Sequence, residues 1–299
     1  MLAVAGLVRL VPRRAVFVAG TALGLTFYAL DGTHRRLALA NLEAAFPLRS
    51  RQECRAIARA MFGHFGRLLM ELLKFTSLSR EHMLSLVDFE GRERADQAFA
   101  QGRGVLFFTG HFGYWELQAI AHALSGRPIS VLARALDNPH LNALLERLRG
   151  VTGNAVIYRR GAIRKVLRAL EANEGIALLI DQHIQSADAV YVDFFNRPAA
   201  TTSALAALAL RTGARVIPVF ALPAPGGRFR LIYEHPVEPP DAGDPEAVRE
   251  FTQRCTDVLE MYVRRYPELW LWMHRRWRDV APTTEPEPGM FPAAGTTEE

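Results

Sequence analysis

Hydrophobic and polar positions change period several times along this chain, and each change marks an element. Met1–Val11 is apolar except for Arg9, and Ala15–Leu30 carries no charge. As a helix that second run spans about 24 Å, short of the roughly 30 Å hydrocarbon layer of a bilayer. Ser50-Arg51-Gln52-Glu53 has the form of a capping box. After it Ile57, Met61, Phe65, Leu68, Leu69, Leu72 and Leu73 recur at helical spacing, which predicts a long amphipathic helix to about Phe75 with its stripe in the core. Ser79 is placed to cap a further short helix.

Beyond it, short apolar runs alternate with helical stretches. Strands are predicted at Val105–Thr109, Ile129–Ala133, Ala155–Tyr158, Ile176–Ile180, Val190–Phe195 and Val216–Leu222. Helices are predicted at Trp115–Leu124, His140–Leu148, Ala162–Ala172 and Thr201–Arg211. Phe229–Tyr233 adds a hairpin partner through Pro223-Ala224-Pro225-Gly226-Gly227, and Pro245–Tyr266 reads as a long helix. Strands spaced by helices give an α/β fold with a mostly parallel central sheet flanked by helices, plus late antiparallel additions. The Pro-, Glu-, Thr- and Gly-rich end predicts a disordered tail. The domain reading is a membrane anchor or interfacial helix over 1–30, a catalytic domain over 31–280 and the tail over 281–299.

Composition sharpens this. The 299 residues carry a net charge of +5, and without the four glutamates of the tail the body stands at +9. A basic body favours acidic partners: anionic lipid, a phosphorylated ligand, an acidic carrier protein or nucleic acid. The plain alternative is a solvated, arginine-rich surface. Cys54 and Cys255 are the only cysteines; they form no disulfide framework and no metal spacing, which fits a reducing compartment. The amino-terminal segment lacks a convincing small-x-small cleavage site before Asp31, so it reads as an uncleaved anchor that crosses with tilt or lies in the interface, with a signal peptide and an internal core helix as the alternatives. Arg13 and Arg14 precede it and Arg35 and Arg36 follow it, so the positive-inside rule does not orient it.

The chemistry concentrates at Gly110-His111-Phe112-Gly113-Tyr114-Trp115-Glu116, directly after the strand Val105–Thr109. A histidine at the carboxyl end of a strand lies where open α/β sheets bind ligands. His111 and Glu116 are expected as a base and its orienting carboxylate. On one unbroken helix a five-residue step would put them on different faces, so His111 must sit in the turn, which Gly110 and Gly113 permit. A plain alternative for Glu116 is the helix amino-terminal dipole. No His-Glu-x-x-His or clustered His/Cys set supports a metal site, and no P-loop, dinucleotide fingerprint or Gly-x-Ser-x-Gly elbow occurs. A histidine base without a resident serine or cysteine nucleophile implies that the nucleophile arrives with the substrate, as when a substrate hydroxyl attacks an acyl group.

At this point the chain resembles the bacterial late acyltransferases of lipid A biosynthesis, the lauroyl and myristoyl type, within the lysophospholipid acyltransferase superfamily. The resemblance covers roughly residues 7–278. His111-x4-Glu116 matches the His-x4-Asp/Glu signature. Supporting segments are Asn41-Leu42 with Ala45-Phe46-Pro47, Arg149 with Gly153, Asp181-Gln182, Val192-Asp193-Phe194-Phe195 with Pro198-Ala199, Arg211-Thr212-Gly213-Ala214, and Trp270-Leu271-Trp272-Met273-His274-Arg275-Arg276-Trp277. Phe195-Asn196-Arg197-Pro198 departs from it, since the family usually has glycine after the two phenylalanines.

The resemblance implies a glycerol-3-phosphate acyltransferase-like fold. It implies that His111 deprotonates a hydroxyl of a glycolipid acceptor, a lipid A precursor, while Glu116 orients and stabilises the imidazole. The donor would be a thioester on acyl carrier protein, with no cofactor and no nucleic acid partner. Asn41, Arg149, Asp181 and Gln182 are expected near the acceptor. Arg149 would bind phosphate or developing oxyanion charge, or be a surface helix arginine. Asp181 would assist His111, bind the acceptor, or cap the following loop. The expected place is the bacterial inner membrane, with the catalytic domain facing the cytoplasm. The alternatives are the same chemistry on a lysophospholipid, aminolipid or mannosylated lipid, or thioester hydrolysis. The terminal Trp/Arg cluster suits a bilayer interface, or a packed carboxyl-terminal cap.

Overall fold

The computed structural model describes residues 10–159, 161–186, 189–241 and 243–278. The tail expected over 281–299 lies outside the described residues, as do residues 1–9 of the expected anchor.

Strands β1 (Val87–Glu90), β2 (Val105–Thr109), β3 (Ile129–Ala133), β4 (Ala155–Tyr158) and β5 (Gly175–Leu179) join two later ones in a seven-stranded sheet. Between them in sequence, β6 (Ala189–Asp193) and β7 (Pro198–Thr202) form a separate antiparallel hairpin. The later strands of the main sheet are β8 (Arg215–Pro223) and β9 (Phe229–Tyr233), and its order is β1-β9-β8-β2-β5-β3-β4. Every pairing in it is parallel except β8 with β9. That exception is the hairpin the Pro/Gly run predicts.

All five residues of β2 are buried. Its side chains alternate between two cores, Leu106 and Phe108 on one face and Val105 and Phe107 on the other. This is the continuous apolar run expected of a central parallel strand. Helices cover both faces. One core includes α8 (Ile163–Glu171), α9 (Ala204–Thr212) and α10 (Ala247–Arg265), and the other includes α5 (Arg92–Phe99) and α6 (Trp115–Leu124). The stretch predicted as helix from Thr201 starts only at Ala204. The residues before it form β7, where Ala199, Ala200 and Thr201 are buried, and packing of that hairpin overrides local helical pattern.

The amino-terminal half supplies α1 (Arg13–Leu30), α2 (Gly32–Ala45), α3 (Arg51–Phe75) and α4 (Arg80–Ser85). The Ser50 capping box at the start of α3 is formed in both directions. The Ala15–Leu30 run becomes α1, and α1 lies along α3. An ideal Cβ on Gly24 would fall 2.0 Å from the Phe62 carbonyl oxygen, and one on Gly66 would fall 2.2 Å from that of Gly20. Only glycine permits this approach. Arg13 closes the contact on the buried Glu71 at 2.8 Å. Among the described residues no single helix is long and apolar enough to cross a membrane, and α1 and α2 reach that length only together, across a 91° bend. The outer face of α1 exposes Phe17, Val18, Leu23, Phe27 and Leu30.

Candidate active site

Strand register assembles the site. Thr109, the last residue of β2, pairs with Leu179, the last of β5. Two residues on from each, His111 and Asp181 meet at the carboxyl edge of the sheet. The Asp181 carboxylate accepts from the His111 backbone N–H at 2.7 Å and from its Nδ1 at 2.8 Å. The Trp270 indole Nε1 donates to it at 2.8 Å. Asp181 is fully buried. An ionised carboxylate only accepts, so it fixes the proton on Nδ1 and leaves Nε2 with its lone pair. The Gln182 amide nitrogen lies 3.4 Å from that Nε2, oriented as a donor to it.

The turn that presents His111 is tightly held. Gly113 has φ +57°, and a Cβ there would fall 2.1 Å from the Ala221 carbonyl oxygen. Buried His64 donates from Nε2 to the Gly113 carbonyl at 3.0 Å and stacks on Tyr114. The segment after α10 then straps across. Gly113 N donates to Leu269 O at 2.8 Å, and Leu271 N to His111 O at 3.0 Å.

Electrostatics reinforce the pair. Burial works against a charged His111 ring, but the Asp181 charge and hydrogen bond, with the field of Glu116, raise its pKa above the ordinary imidazole value. Burial likewise opposes the ionised Asp181, yet the imidazole's charge and the hydrogen bonds it accepts hold the carboxyl far below the usual carboxylate range. His274 stands 3.9 Å from the same carboxylate. Burial pushes it down to about 4, so it stays neutral and the proton goes to His111. His111, Asp181 and His274 place ligand atoms within 4.8 Å of one another. Three of the roughly four lone-pair positions of the carboxylate are already used in hydrogen bonds to the protein.

Glu116 is not where the sequence reading puts it. Its carboxylate is held by Arg149 in a bidentate pair, 2.9 Å from Nε and 2.7 Å from Nη2, and by the Trp115 indole N–H at 3.1 Å. The carboxylate on the imidazole is Asp181. The reason is geometric: α6 begins at Trp115, so Glu116 lies in its first turn, and a partner two residues beyond a neighbouring strand is closer to the ring. Arg149, near the end of α7 (Pro139–Gly150), thereby reaches the site's margin, with both partners 12% exposed. Asn41 faces the strap. Its Nδ2 donates to Trp272 O and His274 O, each at 2.9 Å, so its amide anchors protein. Of the residues expected at the site, the structure joins His111, Asp181 and Gln182, sets Glu116 with Arg149 beside them and uses Asn41 behind them.

Trp270 and His274 belong to the site and went unassigned in the sequence reading. Both sit in the aromatic terminal cluster, which is a packed cap. Trp270 and Trp272 are 0% exposed, and Arg276 is 1% exposed, donating to Ala200 O and Thr201 Oγ1. An indole N–H needs an acceptor when buried, but the requirement does not single out an acid: Trp272 meets it with the Pro267 carbonyl.

An imidazole held by a buried acid at the edge of a parallel sheet is suited to general-base chemistry. The chain belongs to the bacterial lipid A biosynthesis acyltransferase family, whose model matches residues 1–279. It is thus an acyltransferase for lipid acceptors. It is 28% identical over 271 residues to a lipid A biosynthesis lauroyltransferase of Escherichia coli K12, covering 89% of this chain and 86% of that one. It is 23% identical over 225 residues to a phosphatidylinositol mannoside acyltransferase of Mycolicibacterium smegmatis, covering 74% and 72%. A solved 1-acyl-sn-glycerophosphate acyltransferase, PlsC from Thermotoga maritima, aligns with 85% of this chain and 96% of its own at 18% identity and a TM-score of 0.38.

Proposed function

We propose that this protein moves a fatty acyl group from acyl carrier protein to a hydroxyl of a lipid A precursor, with His111 as general base. The observation that carries this reading is the imidazole geometry, with Nδ1 on Asp181 at 2.8 Å and Nε2 left to face the Gln182 amide at 3.4 Å. The acceptor hydroxyl takes the place beside Nε2 and gives up its proton there as its oxygen attacks the thioester carbonyl. The imidazolium that forms is stabilised by Asp181. Collapse of the tetrahedral intermediate breaks the C–S bond, and the departing thiolate takes the proton from His111. The ester and the free carrier thiol are the products. The Gln182 amide, beside Nε2, is placed to donate to the oxyanion.

Glu116 acts through Arg149 and through its field on the ring. The pair lines a small cavity of about 40 Å³ beneath α6, walled by Phe107, Val131, Leu178 and Val219. The apolar face of α1, flanked by arginines, rests on the cytoplasmic face of the inner membrane, where a cytosolic carrier can reach His111.

The test is purified protein with dodecanoyl and tetradecanoyl carrier thioesters and a defined lipid A precursor, read by mass spectrometry. An ester on the precursor supports the reading. Thioester loss at one rate with or without acceptor points to hydrolysis. The mannoside relative makes a mannosylated lipid the second acceptor to include, and acylation of it alone would move the assignment there.

A further inference from the structure

Charge is spread unevenly along this chain. Between Glu146 and Glu171 it holds seven basic residues and no acidic one, so this stretch alone supplies seven of the nine net positive charges of the body. Arg149 is held by Glu116, and Arg160 lies outside the described residues. Among the described residues the other five, Arg147, Arg159, Arg164, Lys165 and Arg168, have no carboxylate partner. Elsewhere on the surface Arg215, Arg249 and Arg254 each have a glutamate. Four of the five are exposed, and Arg159 is half-buried.

Strand register brings these residues to the edge of the sheet that holds His111. β4 pairs with β3 through Tyr158 and Ala133, and Arg159 N donates to Ala133 O. Arg159 therefore follows the carboxyl end of β4, as His111 follows that of β2, and α8 starts just beyond it. Buried Val166, Ala169 and Leu170 seat α8 on the core, which turns Arg164, Lys165 and Arg168 outward. Arg164 and Arg168 are one turn apart, and like charges at that spacing destabilise a helix. An acidic partner relieves that repulsion. Apolar groups lie beside the charges: α7 has no buried residue, Leu141 on it is exposed, and so is Val151 just after it. Arginine mixed with apolar area suits a folded protein better than a free anion.

The strand order β1-β9-β8-β2-β5-β3-β4 sets this face apart from α1. Arg13, at the start of α1, stands against Gly227 in the β8–β9 turn, on one side of His111 and Asp181. The basic residues follow β4, on the other side. At about 4.8 Å per strand, β4 lies roughly 14 Å from β2. We propose that α7, Arg159 and α8 form the docking face for an acidic acyl carrier protein. Its thioester arm reaches across that gap to His111, while the lipid acceptor enters from the side of α1. This rests on the reading of a carrier thioester as the acyl donor.

The experiment gives the full-length protein one lipid acceptor and two donors, dodecanoyl carrier thioester and dodecanoyl-pantetheine, which lacks the acidic protein. Arg164→Glu with Lys165→Glu and Arg168→Glu should lower kcat/KM for the carrier thioester by about tenfold or more, through KM and with kcat kept. Use of the pantetheine thioester, KM for the acceptor and flotation with anionic vesicles should stay near wild type. In the unsubstituted protein, added salt should lower kcat/KM for the carrier thioester much more than for the pantetheine thioester, a comparison that needs no variant to fold. Equal effects on the two donors would overturn the inference. So would a higher acceptor KM or lost flotation in the triple variant, which would make this face a lipid contact. Transfer from the carrier that neither salt nor the substitutions weaken removes this inference and leaves the acyltransferase reading standing. No ester from the carrier thioester removes both.

Discussion

At the residue scale one buried carboxylate holds one imidazole. Asp181 accepts from the ring, from the His111 backbone and from Trp270, and so fixes the tautomer and the direction of Nε2 together. Trp270 touches no reacting atom and is a positioning residue. Trp270→Phe keeps an aromatic in the cap but removes the donor to Asp181. It should lower kcat by about tenfold, the value of one charge-assisted hydrogen bond, leave KM near the wild-type figure and move the acidic limb of the pH–rate profile. Steady-state kinetics across pH checks this. A change confined to thermal stability, with the pH limb in place, would make Trp270 a packing residue only. The sequence shows His111 plainly, because a strand-end histidine between glycines is a local pattern. It gives the orienting role to Glu116 and offers Asp181 only as an assistant among other roles. Glu116 is near in sequence, whereas Asp181 is 70 residues away and becomes a neighbour only through the pairing of β2 with β5, which no local pattern encodes.

At the scale of elements, the strands that build the site are legible because they are buried on both faces. Val105–Thr109 and Phe229–Tyr233 have the limits their apolar runs predict. The hairpin β6–β7 is only half legible. Val190 onward reads as strand, but the Ala/Thr-rich β7 resembles the start of the helix that follows it. The close seat of α1 on α3 is also invisible to a hydrophobicity pattern, which registers an apolar run but not the glycines that let two backbones touch. That seat can be tested. Gly24→Ala puts a methyl 2.0 Å from the Phe62 carbonyl oxygen, whereas at Gly63 the nearest atom to a new Cβ is 3.6 Å away. Gly24→Ala should destabilise the protein by about 1–3 kcal/mol through overpacking and speed amide exchange along α1. Gly63→Ala should do neither. Equal effects from the two substitutions, by denaturant unfolding and hydrogen exchange, would contradict the packing described here.

At the scale of the whole molecule, a basic body meets an exposed apolar helix face. Val18 is 65% exposed and Leu30 is 81% exposed, and large exposed apolar patches mark interaction surfaces. Arg14 at one end of α1 and Arg36 beyond the other are exposed, so that the face suits an anionic bilayer surface. Val18→Glu with Leu23→Glu should abolish flotation with vesicles containing anionic phospholipid and leave turnover of a detergent-dispersed acceptor near wild type. Flotation unchanged by the double substitution would move the membrane contact elsewhere on the molecule.

His111 is proposed as the base, with Asp181 rather than Glu116 setting its pKa. The pH dependence of kcat/KM tests it most directly, measured for the wild type, Asp181→Asn and Glu116→Gln. A base works unprotonated, so wild-type activity should rise with pH through a pKa above the ordinary 6.5 of imidazole. Asp181→Asn removes the charge that raises that pKa and leaves burial to lower it. The limb should therefore move to lower pH while the plateau falls by about 10²-fold or more, and Glu116→Gln should move it less. A limb that stays in place in Asp181→Asn, or that moves further in Glu116→Gln, would contradict the account.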